Sequence, residues 1–90
     1  MRLRVLGSSG TYPTPGRPCS AYLVEAGGTR VMLDAGPGAA TALQEAVADH
    51  HLDAVVITHA HPDHCSDVFP LFNLLRFGPH ARRGLPALAP

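Results

Sequence analysis

The sequence predicts an α/β (α+β) fold in which a buried central strand is flanked by helices. The main evidence is a β-branched apolar run, Leu52 to Thr58, which is typical of a strand that is buried on both faces. Segments with helical character lie before and after this run. Shorter apolar segments nearer the N-terminus predict three more strands, at Leu3 to Leu6, Ser20 to Glu25 and Thr29 to Leu33.

Glycine and proline residues mark the connections between these elements. Residues 7 to 16 contain three glycines and two prolines, which predicts a loop. The turn Gly36-Pro37-Gly38 precedes an amphipathic helix that is predicted from Ala39 to Asp49. A second helix is predicted from about Asp63 to Arg76, and Pro70 is expected to kink or shorten it.

Three histidines and an aspartate lie together directly after the central strand. They are His59, His61, Asp63 and His64. An extended chain projects the first two histidines to the same side, while Pro62 favours a switch to a helix that aims the other two side chains differently. Imidazoles and carboxylates are ordinary zinc ligands. One tetrahedral zinc ion usually binds fewer than four ligands from a single loop. The pattern therefore predicts a metal centre for two ions.

Other interpretations of this cluster stay open at this point. Without a metal the four side chains would form a solvated polar turn, although lone histidines, not clusters, are typical of such turns. A structural zinc site is usually closed and rich in thiolates, whereas only Cys65 lies nearby. A cysteine nucleophile at Cys65 would leave the histidines and the aspartate unexplained.

The four residues match a His-x-His-x-Asp-His motif in full. Through this motif the chain resembles the metallo-β-lactamase superfamily. The order of the predicted strands and the turn Asp34-Ala35-Gly36 agree with this resemblance across essentially the whole chain. It implies that residues 1–90 form the N-terminal half of an αββα four-layer sandwich, with a mixed sheet and flanking helices. The Gly7-Ser8-Ser9-Gly10-Thr11 loop and the segment His64-Cys65-Ser66-Asp67 are most similar to the ribonuclease Z-like and phosphodiesterase branch.

The same resemblance implies a role for each candidate residue. His59 and His61 would hold one zinc ion, and Asp63 and His64 would hold the other. Asp63 would also be catalytic, because the corresponding residue is discussed as the proton acceptor for the attacking water. Asp34 would steady the ligand loop through hydrogen bonds from outside the ligand set, and a purely turn-forming aspartate is the alternative.

The resemblance also implies that the chain is incomplete. The family completes its site with a later histidine, a bridging aspartate and a final histidine. His50 and His51 lie about 17 Å from His59 along an extended chain, and His80 lies about 20 Å along the predicted helix, so none of them substitutes. Residues 84 to 90 predict a further short strand. We therefore expect a truncated domain with one bare sheet face, which is poorly soluble or associates through that face, for example as a homodimer.

Composition limits the partners and the location of the protein. Seven basic and seven acidic side chains cancel, so there is no long-range attraction to nucleic acid or to a membrane. A small basic group near the end, Arg76, Arg82 and Arg83, is interpreted as solvated. No stretch of about 18 apolar residues and no signal peptide is evident, and two cysteines are poor evidence for a disulfide. We expect a cytoplasmic protein with no membrane partner and no strong nucleic-acid patch.

These features together predict a metal-dependent hydrolase with zinc as cofactor and two ions in the complete domain. Two cations suit in-line attack on a phosphodiester, because charge spreads over the phosphoryl oxygens. The leading hypothesis is therefore a phosphodiesterase whose partner is a small-molecule or nucleotide substrate, either a cyclic nucleotide or an RNA 3′ end. The alternatives are hydrolysis of a thioester, lactone or other acyl bond on the same metal core, and a non-catalytic fragment.

Overall fold

A computed structural model describes residues 1–80 and a short strand at residues 87 and 88. Its elements are β1 (Arg2–Gly7), β2 (Ala21–Ala26), β3 (Thr29–Leu33), α1 (Ala39–Ala46), β4 (Ala54–Val56), α2 (Pro62–Cys65), α3 (Val68–Phe77) and β5 (Ala87–Leu88). The strands form one sheet in the order β1-β2-β3-β4-β5. The pairs β1–β2 and β2–β3 are antiparallel, whereas β3–β4 and β4–β5 are parallel. The predicted mixed sheet is confirmed.

The helices pack on one face of this sheet and enclose the hydrophobic core. Leu23 of β2, Met32 of β3 and Val55 of β4 are buried, and they belong to one cluster with Leu43 of α1 and Leu71 of α3. Burial of side chains of this size contributes about 1.5–3 kcal/mol each, so this layer holds the strand ends in place. None of the described helices is long and apolar enough to cross a membrane.

The opposite face of the sheet is also apolar. The strand register aligns two rows of side chains on it, Leu3, Val24, Val31 and Ala54 in one row and Val5, Tyr22, Leu33 and Val56 in the other. Leu3 and Val5 are 63% and 60% exposed, and the other six are half-buried. Among the described residues this face therefore lacks the cover that the helices give to the first face.

Two short helices replace the single helix predicted from Asp63 to Arg76. The break between α2 and α3 arises because Asp67 is held by distant residues. Its backbone N–H donates to the Ala35 carbonyl at 2.8 Å, and its carboxylate accepts from the Ala40 N–H at the start of α1, also at 2.8 Å. Pro70 then lies in the first turn of α3, where a missing N–H costs no helical hydrogen bond. The single-helix prediction is wrong because these contacts span about thirty residues of sequence.

Two other elements are shorter than their sequence patterns predict. β4 ends at Val56 because the next backbone donor at the sheet edge, the N–H of Thr58, bonds to the carboxylate of Asp34. α1 ends at Ala46 and not at Asp49, since Val47 is extended and buried in the core. Both differences arise from tertiary contacts, and the first of them shapes the site described next.

Candidate metal centre

Two parallel strands bring the candidate residues to one edge of the sheet. β3 ends at Leu33 and is followed by Asp34, while β4 ends at Val56 and is followed closely by Thr58 and His59. Because β3 and β4 are parallel, their carboxyl ends lie at the same edge. The Asp34 N–H donates to the Val56 carbonyl at 2.7 Å, which fixes the two strand ends against each other.

Asp34 is the buried carboxylate at this edge. The residue is 4% exposed and has a φ of 63°, a conformation that aspartate and asparagine adopt more readily than most residues. Its Oδ1 accepts from the Thr58 N–H at 2.7 Å, and the Thr58 Oγ1 lies 2.9 Å from Oδ1 and 2.8 Å from Oδ2. Burial acts to raise the pKa of the Asp34 carboxyl, but hydrogen bonds from His64 and Thr58 outweigh it and hold that pKa below its usual value.

His59 and His64 lie beside this carboxylate. His64 Nδ1 is 2.8 Å from Asp34 Oδ2, and the ring centroids of the two histidines are 4.8 Å apart. Among the described residues, Asp34, His59 and His64 offer ligand atoms that all lie within 4.8 Å of one another. The hydrogen bond with Asp34 raises the pKa of His64 above its usual value against an opposing effect of burial, and the negative charges of Asp34 and Asp63 add to the rise.

His61 and Asp63 flank that group of three. The ring of His61 is stacked on that of His59, with 6.1 Å between the centroids. Asp63 Oδ2 lies 3.5 Å from His64 Nε2 and 3.5 Å from the backbone nitrogen of Thr11. The structure thus brings all four residues of the motif into one neighbourhood, with His59 and His64 at its centre.

The backbone of α2 packs tightly against the turn that follows β3. The Ala35 N–H donates to the His64 carbonyl at 2.7 Å. A Cβ placed on Gly36 would collide with the carbonyl oxygen of Asp63 and would approach the Cβ of Cys19 to 2.7 Å. Cys19 is fully buried there, and burial, with a further contribution from the negative charge of Asp63, raises the pKa of its thiol. Cys19 therefore packs against this turn, and the position of Asp63 depends on a glycine at 36.

Thr58 is the residue at this site that the sequence patterns do not predict. Its β-branched side chain fits the end of the central strand, so nothing in the apolar run distinguishes it. The available signal is its position, because a hydroxyl directly before the first histidine of a metal motif is placed to bond that histidine or its neighbours. The remaining histidines lie elsewhere: the rings of His50 and His80 contact each other with centroids 5.1 Å apart, and His51 pairs with Asp53.

Residues 14–87 match the family model of the metallo-β-lactamase superfamily. The chain belongs to this superfamily. The matched range contains Asp34 and the complete motif from His59 to His64, so the resemblance seen in the sequence is confirmed.

Named relatives within the metallo-β-lactamase superfamily include ribonucleases. Ribonuclease Z of Methanopyrus kandleri is 39% identical over 70 residues, which are 77% of this chain and 25% of that protein. The crystal structure of the metallo-β-lactamase fold protein YhfI from Bacillus subtilis superposes with a TM-score of 0.86 and 30% identity, over 97% of this chain and 37% of its own. Human tRNase Z, short form, gives a TM-score of 0.73 and 31% identity, over 80% of this chain and 28% of its own.

These superpositions confirm the predicted fold class, a mixed sheet with flanking helices of the metallo-β-lactamase type. In sequence alignment, as distinct from superposition, the chain spans 25% of the length of the Methanopyrus ribonuclease Z and 29% of the length of the probable metallo-hydrolase YhfI.

Proposed function

We propose that this chain supplies the zinc-binding edge of a phosphodiesterase. His59 and His61 would hold one zinc ion, and Asp63 and His64 would hold a second. Asp34 would orient the ligands through hydrogen bonds from outside the ligand set. The observation that carries the proposal is the convergence of His59 and His64 beside one buried carboxylate, with Asp63 in contact with the second of these histidines.

The donor atoms suit zinc in both chemistry and spacing. Two ligands of one tetrahedral zinc ion at about 2.0–2.1 Å lie roughly 3.4 Å apart. The 3.5 Å between Asp63 Oδ2 and His64 Nε2 is close to that value, so this pair needs little movement to share an ion. His64 Nδ1 is paired with Asp34, an arrangement in which an outer carboxylate orients a histidine whose other nitrogen binds metal.

Zinc bound at this edge would polarise a phosphoryl group and acidify a water molecule near neutral pH. The contribution of the chain itself is orientation. Asp63 is half-buried and is held from three sides, by the Thr11 N–H, by His64 and by the contact of its carbonyl with Gly36. A carboxylate fixed in this way at the edge of a metal centre is suited to accept a proton from the attacking water.

We also propose that residues 1–90 are part of a larger metallo-β-lactamase domain. Two observations support this: the chain spans about a quarter of the length of its ribonuclease Z relative, and the second face of its sheet carries eight apolar side chains. Sheets with two apolar faces usually pack in layers about 10 Å apart. A second layer would cover this face and supply the remaining metal ligands; without it, a homodimer would bury the same surface.

An RNA 3′ end or a cyclic nucleotide is the substrate that we propose. Support comes from the relatives named ribonuclease Z and tRNase Z, which are 39% and 31% identical to this chain. The net charge of zero offers no long-range attraction to RNA, so recognition would depend on the metal ions and on local contacts to the phosphate.

Hydrolysis of model substrates tests this proposal. The longest natural polypeptide that contains residues 1–90 is loaded with zinc and assayed on bis-p-nitrophenyl phosphate and, in parallel, on an acyl ester and a thioester. We expect phosphodiester hydrolysis that falls by at least about 100-fold in His61→Ala, because that variant removes a ligand, and that is unchanged in the matched variant His80→Ala. Activity on the acyl substrates alone would favour the acyl hydrolase alternative, and zinc binding without any hydrolysis would favour the non-catalytic one.

A further inference from the structure

The hydroxyl of Thr58 lies between the buried carboxylate and the first histidine of the motif. Its Oγ1 is 2.9 Å and 2.8 Å from the two carboxylate oxygens of Asp34, and it is 3.0 Å from the Nδ1 of His59. On the other side of the same carboxylate, Oδ2 is 2.8 Å from the Nδ1 of His64. Asp34 is therefore connected to both histidines through their Nδ1 atoms, directly to one and through a hydroxyl to the other.

The direction of each hydrogen bond follows from the number of protons available. An ionised carboxylate only accepts, while a threonine hydroxyl has one proton to donate and two lone pairs. If Thr58 donated to His59, its lone pairs would face both oxygens of Asp34 at less than 3 Å with no proton between them. The hydroxyl must therefore donate to Asp34, and its oxygen is left to accept a proton from the Nδ1–H of His59.

We propose that Thr58 is a positioning residue that selects the tautomer of His59, so that Asp34 presets both central histidines for metal binding. With the proton on Nδ1, the lone pair of each imidazole is on Nε2, the nitrogen that is free to bind a metal ion. This inference deepens the proposed function and rests on it for the role of the metal. The tautomer itself is a property of the metal-free protein and is tested separately.

The backbone favours this arrangement over a chance contact. The Thr58 N–H also donates to Asp34 Oδ1 at 2.7 Å, so the main chain holds the residue in place independently of its hydroxyl. Loss of the hydroxyl should thus leave the fold intact and change only the partner of His59. Valine has the same shape and the same preference for extended structure, and serine keeps the hydroxyl without the methyl group.

The test compares Thr58→Val and Thr58→Ser with the wild-type chain. Long-range ¹H–¹⁵N NMR on the metal-free proteins reports which nitrogen of His59 carries the proton. We expect the Nδ1–H form in the wild type and in Thr58→Ser, and a large shift toward the Nε2–H form in Thr58→Val, while His64 keeps its Nδ1–H form in all three. Urea unfolding shows whether each variant is folded, and Thr58→Ala, which also lacks the hydroxyl, takes the place of Thr58→Val if that variant is not.

Zinc affinity, measured by competition with a chromophoric chelator, is the second readout. We expect Thr58→Val to bind zinc about 10–100-fold more weakly, and Thr58→Ser to stay within a few-fold of the wild type, because loss of an outer partner of a metal-binding histidine typically has an effect of that size. A wild-type His59 protonated on Nε2, or undiminished zinc affinity in Thr58→Val, would overturn the inference. A wild type with the expected tautomers but no zinc binding would instead overturn the proposed function.

Discussion

Alanine at position 36 is expected to destabilise the turn after β3 and to displace the candidate metal ligands beside it. A Cβ on Gly36 would collide with the Asp63 carbonyl oxygen and would come within 2.7 Å of the Cys19 Cβ, and both neighbours are held in place by the core and by α2. Overpacking of this kind costs about 1–3 kcal/mol, and relief requires a shift of the segment that carries Asp63 and His64. We therefore expect Gly36→Ala to lose about 3 kcal/mol in urea unfolding and to bind zinc at least about tenfold more weakly.

Gly10→Ala is the matched control for this substitution. Nothing lies within 4 Å of a Cβ at Gly10, and its backbone does not require a glycine. The control should change the free energy of unfolding by less than about 0.5 kcal/mol. Equal effects of the two variants, or a Gly36→Ala chain as stable as the wild type, would show that the turn after β3 is looser than this contact implies.

Replacement of Asp34 by asparagine is expected to have a similarly large effect through electrostatics. Asparagine keeps the size of the side chain and tolerates the φ of 63°. It has one acceptor oxygen, however, and an amide group that would face the donors of Thr58 or His64. Because a buried donor without a partner costs about 1–3 kcal/mol, we expect Asp34→Asn to lose about 2–3 kcal/mol and to bind zinc about 10–100-fold more weakly.

The pH dependence of this loss distinguishes a charge effect from a packing effect. The pKa of Asp34 is lowered in the folded protein, so its stabilisation is complete above the unfolded value of about 3.9 and disappears as the pH falls through the folded value. The pKa of His64 is raised, so its contribution is complete below about 6.5 and disappears as the pH rises through the folded value. The difference between wild type and Asp34→Asn should therefore be largest between these limits in the metal-free proteins.

Glu45→Gln provides the control, since it removes the same charge from an exposed carboxylate on α1. Unfolding in urea at several pH values should show a change within about 0.5 kcal/mol for this variant throughout. A constant difference between wild type and Asp34→Asn at every pH would contradict a stabilising charge interaction between Asp34 and His64.

The features that sequence predicts well are those determined by neighbouring residues. The four motif residues lie within six positions of one another, directly after a strand whose β-branched run is easily seen, and the structure places them together. Asp34 is thirty residues from His64, and only the family resemblance indicated that the two belong to one site. Their hydrogen bond depends on the parallel pairing of β3 and β4, which no local pattern in either strand specifies.

The features that sequence does not predict depend on single long-range hydrogen bonds. Asp67 divides the predicted helix because it bonds to Ala35 and Ala40, and from the sequence alone it is an ordinary helical residue. Thr58 contributes its hydroxyl to the site because the β4 ladder ends two residues before it, at Val56. In both cases a polar side chain near the end of an element has a tertiary partner that outweighs local preference.

The zinc content of the purified chain tests most directly whether the motif residues bind metal. The wild type, the double variant His59→Ala/His64→Ala and the control His80→Ala are loaded with zinc, dialysed against buffer and analysed by mass spectrometry for metal and protein. We expect about one zinc ion or more per chain in the wild type and in His80→Ala, and essentially none in the double variant. A double variant that retains as much zinc as the wild type would contradict the proposed site, because the metal would then be bound elsewhere.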